Sequence, residues 1–250
     1  MEFAVGSASR VLGPEFAEVD TYPVRVRLPA PPLMLVDRIL SVEGRKGGMD
    51  RGRVITEHDV LPGAWYLDGG RAPTCISVEA GQADLFLSGY LGIDLQVKGK
   101  RAYRLLDAKA TFHRGLPRPG EVIRYDIHID KFVRQGETYM FFFRFEGHIG
   151  DEHLITMRDG CAGFFTEAEV RNSGGILLRP EETERRPGRR DFTELVPMAV
   201  ESYDDEALDA LRRGDLEACF GKLFAGVTAP AGLRLPGGPV RLVHRVARLD

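Results

Sequence analysis

The chain has 250 residues and a formal net charge of -3, so no overall positive field marks it for nucleic acid or an anionic membrane surface. Apolar residues make up 43% and charged residues 28%, the balance of a soluble globular protein with a core that needs no disulfide staples. No apolar run reaches the roughly 20 residues that span a bilayer, and residues 1–20 lack a secretory pattern, which together predict a cytoplasmic protein.

Taken in order, Glu2 to Leu12 reads as a short helix stopped by Gly13-Pro14. Pro23, Pro29, Pro31 and Pro32 then enforce extended chain. Leu33 to Val42 and Gly52 to His58 read as strands around the Gly47-Gly48 turn. From Pro73 to Gly92 the pattern is helical, with Ile76, Ala80, Ala83, Leu87 and Leu91 at helical spacing. Val78, Phe86 and Tyr90 make its surroundings apolar as well, which predicts a buried central helix.

Four long strands follow: Tyr103–His113, Gly120–Val133, Thr138–Ile149 and Leu154–Phe165. Gln135-Gly136 and Gly150-Asp151 mark hairpin turns between them, so the four read as a meander. One helix wrapped by one curved antiparallel sheet is an α+β arrangement, the hot-dog fold. Residues 167–203 are rich in Arg, Glu, Pro and Gly and read as linker, ended by short helices near Glu206–Arg213 and Leu216–Phe220. Arg185, Arg186, Arg189 and Arg190 lie among Glu181, Glu182 and Glu184, which reads as a solvated stretch.

The tract Arg27–Ile39 aligns without gaps on Arg234–Val246. Arg27, Leu28, Pro29, Pro32, Leu35, Val36 and Arg38 recur as Arg234, Leu235, Pro236, Pro239, Leu242, Val243 and Arg245. Chance likeness over a proline-rich stretch is one reading, and the start of a second copy of the fold is the other. The expected division is therefore an N-terminal helix and arm over 1–24, a hot-dog domain over 25–166, a linker with short helices over 167–231, and the opening of a truncated second repeat over 232–250. An unpaired sheet edge would then be covered by that second hot-dog or by another copy of the chain.

Several segments resemble a known family. "LMLVDRILSV" at Leu33–Val42, "AWYLDGG" at Ala64–Gly70 and "APTCISVEAGQADLFLSGYLGID" at Ala72–Asp94 are similar to the 3-hydroxydecanoyl-carrier-protein dehydratases. "YRLLDAKATF" at Tyr103–Phe112 and "MRDGCAGFFT" at Met157–Thr166 resemble the first dehydratase tract of polyunsaturated fatty acid synthases. The resemblance implies loss of water from a 3-hydroxyacyl thioester carried on the phosphopantetheine of an acyl carrier protein, with no cofactor of its own. Such chemistry needs a base, an acid for the leaving hydroxyl, and donors for the thioester oxygen.

By that resemblance Glu79 takes the position of the family's helix acid, six residues after Pro73, and Thr74 that of a thioester-contacting glycine. Gln82 lies near the family's helix glutamine with spacing one residue short, and Trp65 and Tyr66 are candidate substrate-side aromatics, with core or interface packing as their plain reading. The family's loop histidine is missing. His58, His113, His128, His148, His153 and His244 read as surface or structural residues, and His148 with His153 lacks a third metal ligand. The isolated chain is therefore expected to be inactive, its base coming from a second hot-dog. Glu79 also admits a plain reading, a buried acid satisfied by backbone or by Arg104; a non-catalytic scaffold and an acyl thioesterase remain as alternative functions. Arg104, Asp107 and Lys109 read as a solvated face, and Cys75, Cys161 and Cys219 as buried free thiols.

Overall fold

A computed structural model describes residues 1–175, 178, 200–227, 229 and 234–249. These form two compact units, one from residues 1–64 and 72–173, the other from residues 65–71 and 174–250. Most of the expected linker, with its arginine and glutamate run, lies outside the described residues.

The first unit is built on a six-stranded antiparallel sheet in the order β1-β2-β4-β5-β6-β3. The strands are β1 (Arg38–Gly44), β2 (Gly52–Asp59), β3 (Ala102–Phe112), β4 (Val122–Gln135), β5 (Thr138–Ile149) and β6 (Glu152–Phe165). Two-residue turns close β4 on β5 and β5 on β6, pairing Gln135 with Thr138 and Ile149 with Glu152. At the second turn Gly150 has φ 57°, the left-handed value such a turn requires and a side chain resists.

The expected four-strand meander is corrected to three. β3 does not pair with its successor β4; it lies at the far edge against β6, with Phe112 opposite Ile155, while β4 pairs with β2. The reason lies in the connection from His113 to Glu121. With Pro117 and Pro119 in it, this segment is too long and too stiff for a hairpin, so the chain crosses over instead.

The central helix follows the expected stripe: Ile76, Ala80, Ala83, Leu87 and Leu91 are all buried. It is not one rod, however. α3 (Thr74–Ala80), α4 (Asp84–Tyr90) and α5 (Ile93–Val97) follow one another, the N-terminal α1 (Glu2–Val5) and α2 (Ala8–Leu12) preceding them in the chain. Between α3 and α4 the backbone tightens, with Gly81 N–H donating to Val78 O and Gln82 N–H to Glu79 O. A Cβ at Gly81 would stand 2.5 Å from the Phe145 ring, so the helix passes this buried aromatic only with hydrogen at that position.

Inward-facing side chains alternate along each strand: Val54, Thr56 and His58 on β2; Ile123, Tyr125, Ile127 and Ile129 on β4; Phe141, Phe143 and Phe145 on β5. Phe142 points the other way, half-buried, with the Lys131 ammonium over its ring. The N-terminal region is pinned by two carboxylates. Asp20 accepts from the Ala8 and Ser9 amides and both the Ser7 and Ser9 hydroxyls, and Asp94 on α5 accepts from Val26 N–H at 3.0 Å. The expected helix over Glu2–Leu12 is split at Gly6-Ser7, and a 3-10 helix over Pro14–Thr21, not foreseen, precedes the extended arm.

In the second unit α7 (Asp205–Arg213) and α8 (Leu216–Phe220) come after α6 (Glu167–Arg171) of the first unit in the chain. α7 and α8 are capped by Asp204 and Asp215, whose carboxylates accept from Ala207 N–H and Ala218 N–H. Tyr203, Leu208, Ala210 and Cys219 form a small core with Leu235 and Val246 packed on it. Among the described residues, no helix is long and apolar enough to cross a membrane.

Candidate active site

Glu79 lies in the last turn of α3, half-buried, and loss of solvent raises its carboxyl above the usual glutamate range. Arg104 is turned elsewhere: its guanidinium donates to Tyr103 O at 2.7 Å. Thr74 is exposed at the first position of α3, and Gln82 sits half-buried in the tight turn just past the helix end. The helix thus sets Thr74, Glu79 and Gln82 in sequence along one short stretch of backbone. Ser77, on the same helix, is fixed underneath, where Tyr125 Oη donates to its carbonyl at 2.7 Å.

Trp65 and Tyr66 do not belong to this unit. They fall within the second, where their rings meet edge to face at 5.6 Å with Tyr66 buried.

Sequence reading passed over one residue. Asp84, at the start of α4 and five residues beyond Glu79, is completely buried, and burial pushes it up to about 7. Tyr103 Oη on β3 donates to its Oδ2 at 3.3 Å, while Oδ1 has no hydrogen-bond partner among the described residues. The signal was visible: an aspartate inside an otherwise apolar run.

Of the two expected readings of His58, surface or structural, its burial fits the second. The residue is buried on the inner face of β2, and its Nδ1 meets Asp37 Oδ2 at 2.9 Å. Burial lowers its proton affinity, against the opposing pull of Asp37. His113, His153 and His148 stack in a column, with ring centroids 4.0 and 4.6 Å apart, and His153 Nε2 is engaged by Glu146 at 2.7 Å. Among the described residues no group of three or more His, Cys, Asp or Glu side chains is arranged to hold a metal ion. The cysteines are free, but Cys75 is exposed and Cys161 half-buried rather than buried as expected. Cys75 lies beside the inward Ile76 and Ser77 on α3, and the helical turn carries it outward.

A recess of about 630 Å³ is lined by Glu43, Arg45, Arg53, His128, Asp130 and Arg144 among others. Its charges are largely spent on one another, Arg53 on Asp126 at 2.7 Å and Arg144 on Asp130 at 3.3 Å, so it offers no apolar bed for an acyl chain.

Comparison with known proteins follows the same lines. Residues 28–158 match the FabA-like domain family, more than half of the chain. A polyunsaturated fatty acid synthase component from a Thraustochytrium species is 42% identical over 181 residues, covering 71% of this chain but only 12% of that much longer protein. Among solved structures, the dehydratase heterocomplex ApeI:P from Xenorhabdus doucetiae aligns at 15% identity and a TM-score of 0.43, over 61% of this chain and 96% of that one. A conserved protein of Pseudomonas aeruginosa aligns at 14% identity and a TM-score of 0.37, over 57% of this chain and 100% of that one. The sheet, its buried helix and the matched tract lead to one statement: this chain belongs to the FabA-like domain family, as a dehydratase-type hot-dog domain.

Proposed function

We propose that this chain is one hot-dog of a 3-hydroxyacyl-thioester dehydratase in a polyunsaturated fatty acid synthase, and that it supplies the acid while a second hot-dog supplies the base. The observation that carries this reading is the Glu79 carboxyl, held on the central helix where desolvation favours its protonated form. In that form it can protonate the leaving hydroxyl as a base removes the proton beside the thioester carbonyl, giving the 2-enoyl thioester and water. Thr74 and Gln82 flank it along the backbone and are read as thioester-side contacts.

The substrate arrives on the phosphopantetheine of an acyl carrier protein in the cytosol. The second hot-dog, in the same parent chain or in another copy, joins at β3. This strand ends the sheet and presents Leu105 and Leu106 at 41% and 51% exposure.

The test is incubation with a 3-hydroxyacyl thioester surrogate, the chain alone and then with a second hot-dog supplied. Enoyl product only in the second arm, abolished by Glu79→Gln, is the expected result. Turnover by the chain alone, or full activity of the glutamine variant, removes the shared site. Free thiol identifies a thioesterase, and no reaction in either arm identifies a scaffold.

A further inference from the structure

The residues ahead of the sheet follow a fixed order. α1 ends on Gly6, α2 ends on Gly13, a 3-10 helix runs from Pro14 to Thr21, and the extended arm leads to β1. The second unit repeats that order. α7 ends on Gly214, α8 ends on Gly221, and a 3-10 helix begins at Lys222. α2 and α8 have the same five-residue length, and their capping glycines share one backbone shape, φ 113° and ψ 162° at Gly13 against φ 91° and ψ -177° at Gly221. Through this turn the residues match in register: Gly13, Phe16, Ala17 and Val19 recur as Gly221, Phe224, Ala225 and Val227. The tract Arg27–Ile39 then recurs as Arg234–Val246, with a single residue lost in between. Helices, turn and tract in one order are what an internal repeat leaves behind.

The first of these leaders is bolted to the hot-dog it precedes. Phe3 meets the Phe86 ring of α4 edge to face at 5.0 Å, Val26 N–H donates to Asp94 on α5, and the 3-10 helix packs on α5 with Phe16 and Val19 buried. Helices of four and five residues are unstable in isolation, so this leader is ordered by the body it covers. The second leader carries the same anchors in the open. Val19 is fully buried and Val227 is 50% exposed; Phe16 is buried and Phe224 half-buried. Leu223 stands 67% exposed where the first leader has Glu15, an acid that reaches Lys46 at 3.1 Å. Its helices close on a small core of Tyr203, Leu208, Ala210 and Cys219, which leaves these side chains outside.

We propose that residues 205–246 are the leader of a second FabA-like hot-dog, and that Leu223, Phe224, Val227 and Leu242 are its docking surface for that hot-dog's central helix and sheet. The two helices thus belong to the repeat and do not end a linker. In the first copy the tract enters β1 at Arg38, so the body that fits the second leader follows the aligned Arg245 in the same polypeptide. This names the partner that the dehydratase reading calls for, and rests on that reading only for the partner's catalytic role.

The test compares this chain with the full-length product of its gene, by hydrogen exchange on peptides from 216–227 and 239–246. Their counterparts from 8–19 and 32–39 serve as the protected standard in both proteins. The second-leader peptides are expected to exchange fast in the chain alone and about tenfold slower, or more, in the full-length protein. Val227→Asp restores fast exchange there and leaves the chain alone unchanged. Photo-crosslinking with p-benzoylphenylalanine in place of Leu223 identifies the cover, and capture of a hot-dog segment beyond Asp250 is expected. Equal exchange in the two proteins, or capture of any other segment or of none, overturns the leader. The dehydratase reading fails separately, as absence of enoyl product from a protein that shows both the protection and the cross-link.

Discussion

Two tracts of this chain carry nearly the same residues and meet opposite surroundings. In Arg27–Ile39, Leu35 is buried at 3% exposure, Asp37 holds the buried His58, and Ile39 pairs with Thr56 on β2. In Arg234–Val246, the aligned Leu242 stands 84% exposed, His244 is exposed, and Val246 forms an isolated bridge with Tyr203. Leu28 is buried and its counterpart Leu235 is half-buried on the small helical core. The tract therefore has no fixed structure of its own. A helix and a sheet must cover it before its leucines count as core.

A cavity beneath the first tract should cost the most. Leu35→Ala should lower unfolding free energy by about 2–5 kcal/mol in urea titration. Next comes the acid that shares the first tract's unit. The Asp84 carboxyl holds its proton more tightly folded than unfolded, so its ionisation is a cost absent below about pH 4 and complete above about pH 7. Asp84→Asn should therefore gain on the wild type as pH rises across that window, by up to about 4 kcal/mol at pH 8, seen in urea midpoints at the two extremes. An equal difference at both ends would show that Asp84 is ionised, or neutral, throughout.

A smaller effect is expected of Asp37→Ala, about 1–3 kcal/mol, because it removes one hydrogen bond from a buried imidazole. His58 already resists protonation when folded, so stability falls as pH drops below its ordinary value, and loss of Asp37 steepens that fall. Melting curves at acid and neutral pH would record it. Smallest of all, Leu242→Ala and His244→Ala should each change stability by less than about 0.5 kcal/mol. A loss comparable to that of Leu35→Ala would mean the second tract is already folded into a core.

What the sequence made legible was local. β5 runs from Thr138 to Ile149 as the flanking turns foretold, and the buried stripe from Ile76 to Leu91 follows from its spacing. The place of β3 was not legible, because its pairing with β6 is a long-range choice imposed by a stiff crossover. Nor was the close approach of Gly81 to Phe145, a residue far along the chain. Glu79 was reached through family likeness and not through spacing. Asp84 could have been reached from spacing alone, since an acid among Ala83, Leu85, Phe86 and Leu87 must face either a partner or a cost.

β3 slips register against β6 twice, between Leu105 and Asp107 and again between Asp107 and Lys109. Irregular steps of this kind bend and twist a strand, so the free rim is not a straight ladder of open amides and carbonyls. A flat strand from an unrelated chain would lose alignment within a few residues. A kinked rim of this kind favours a neighbour with a matching bend and disfavours the indiscriminate zippering that an exposed leucine pair on a straight edge invites.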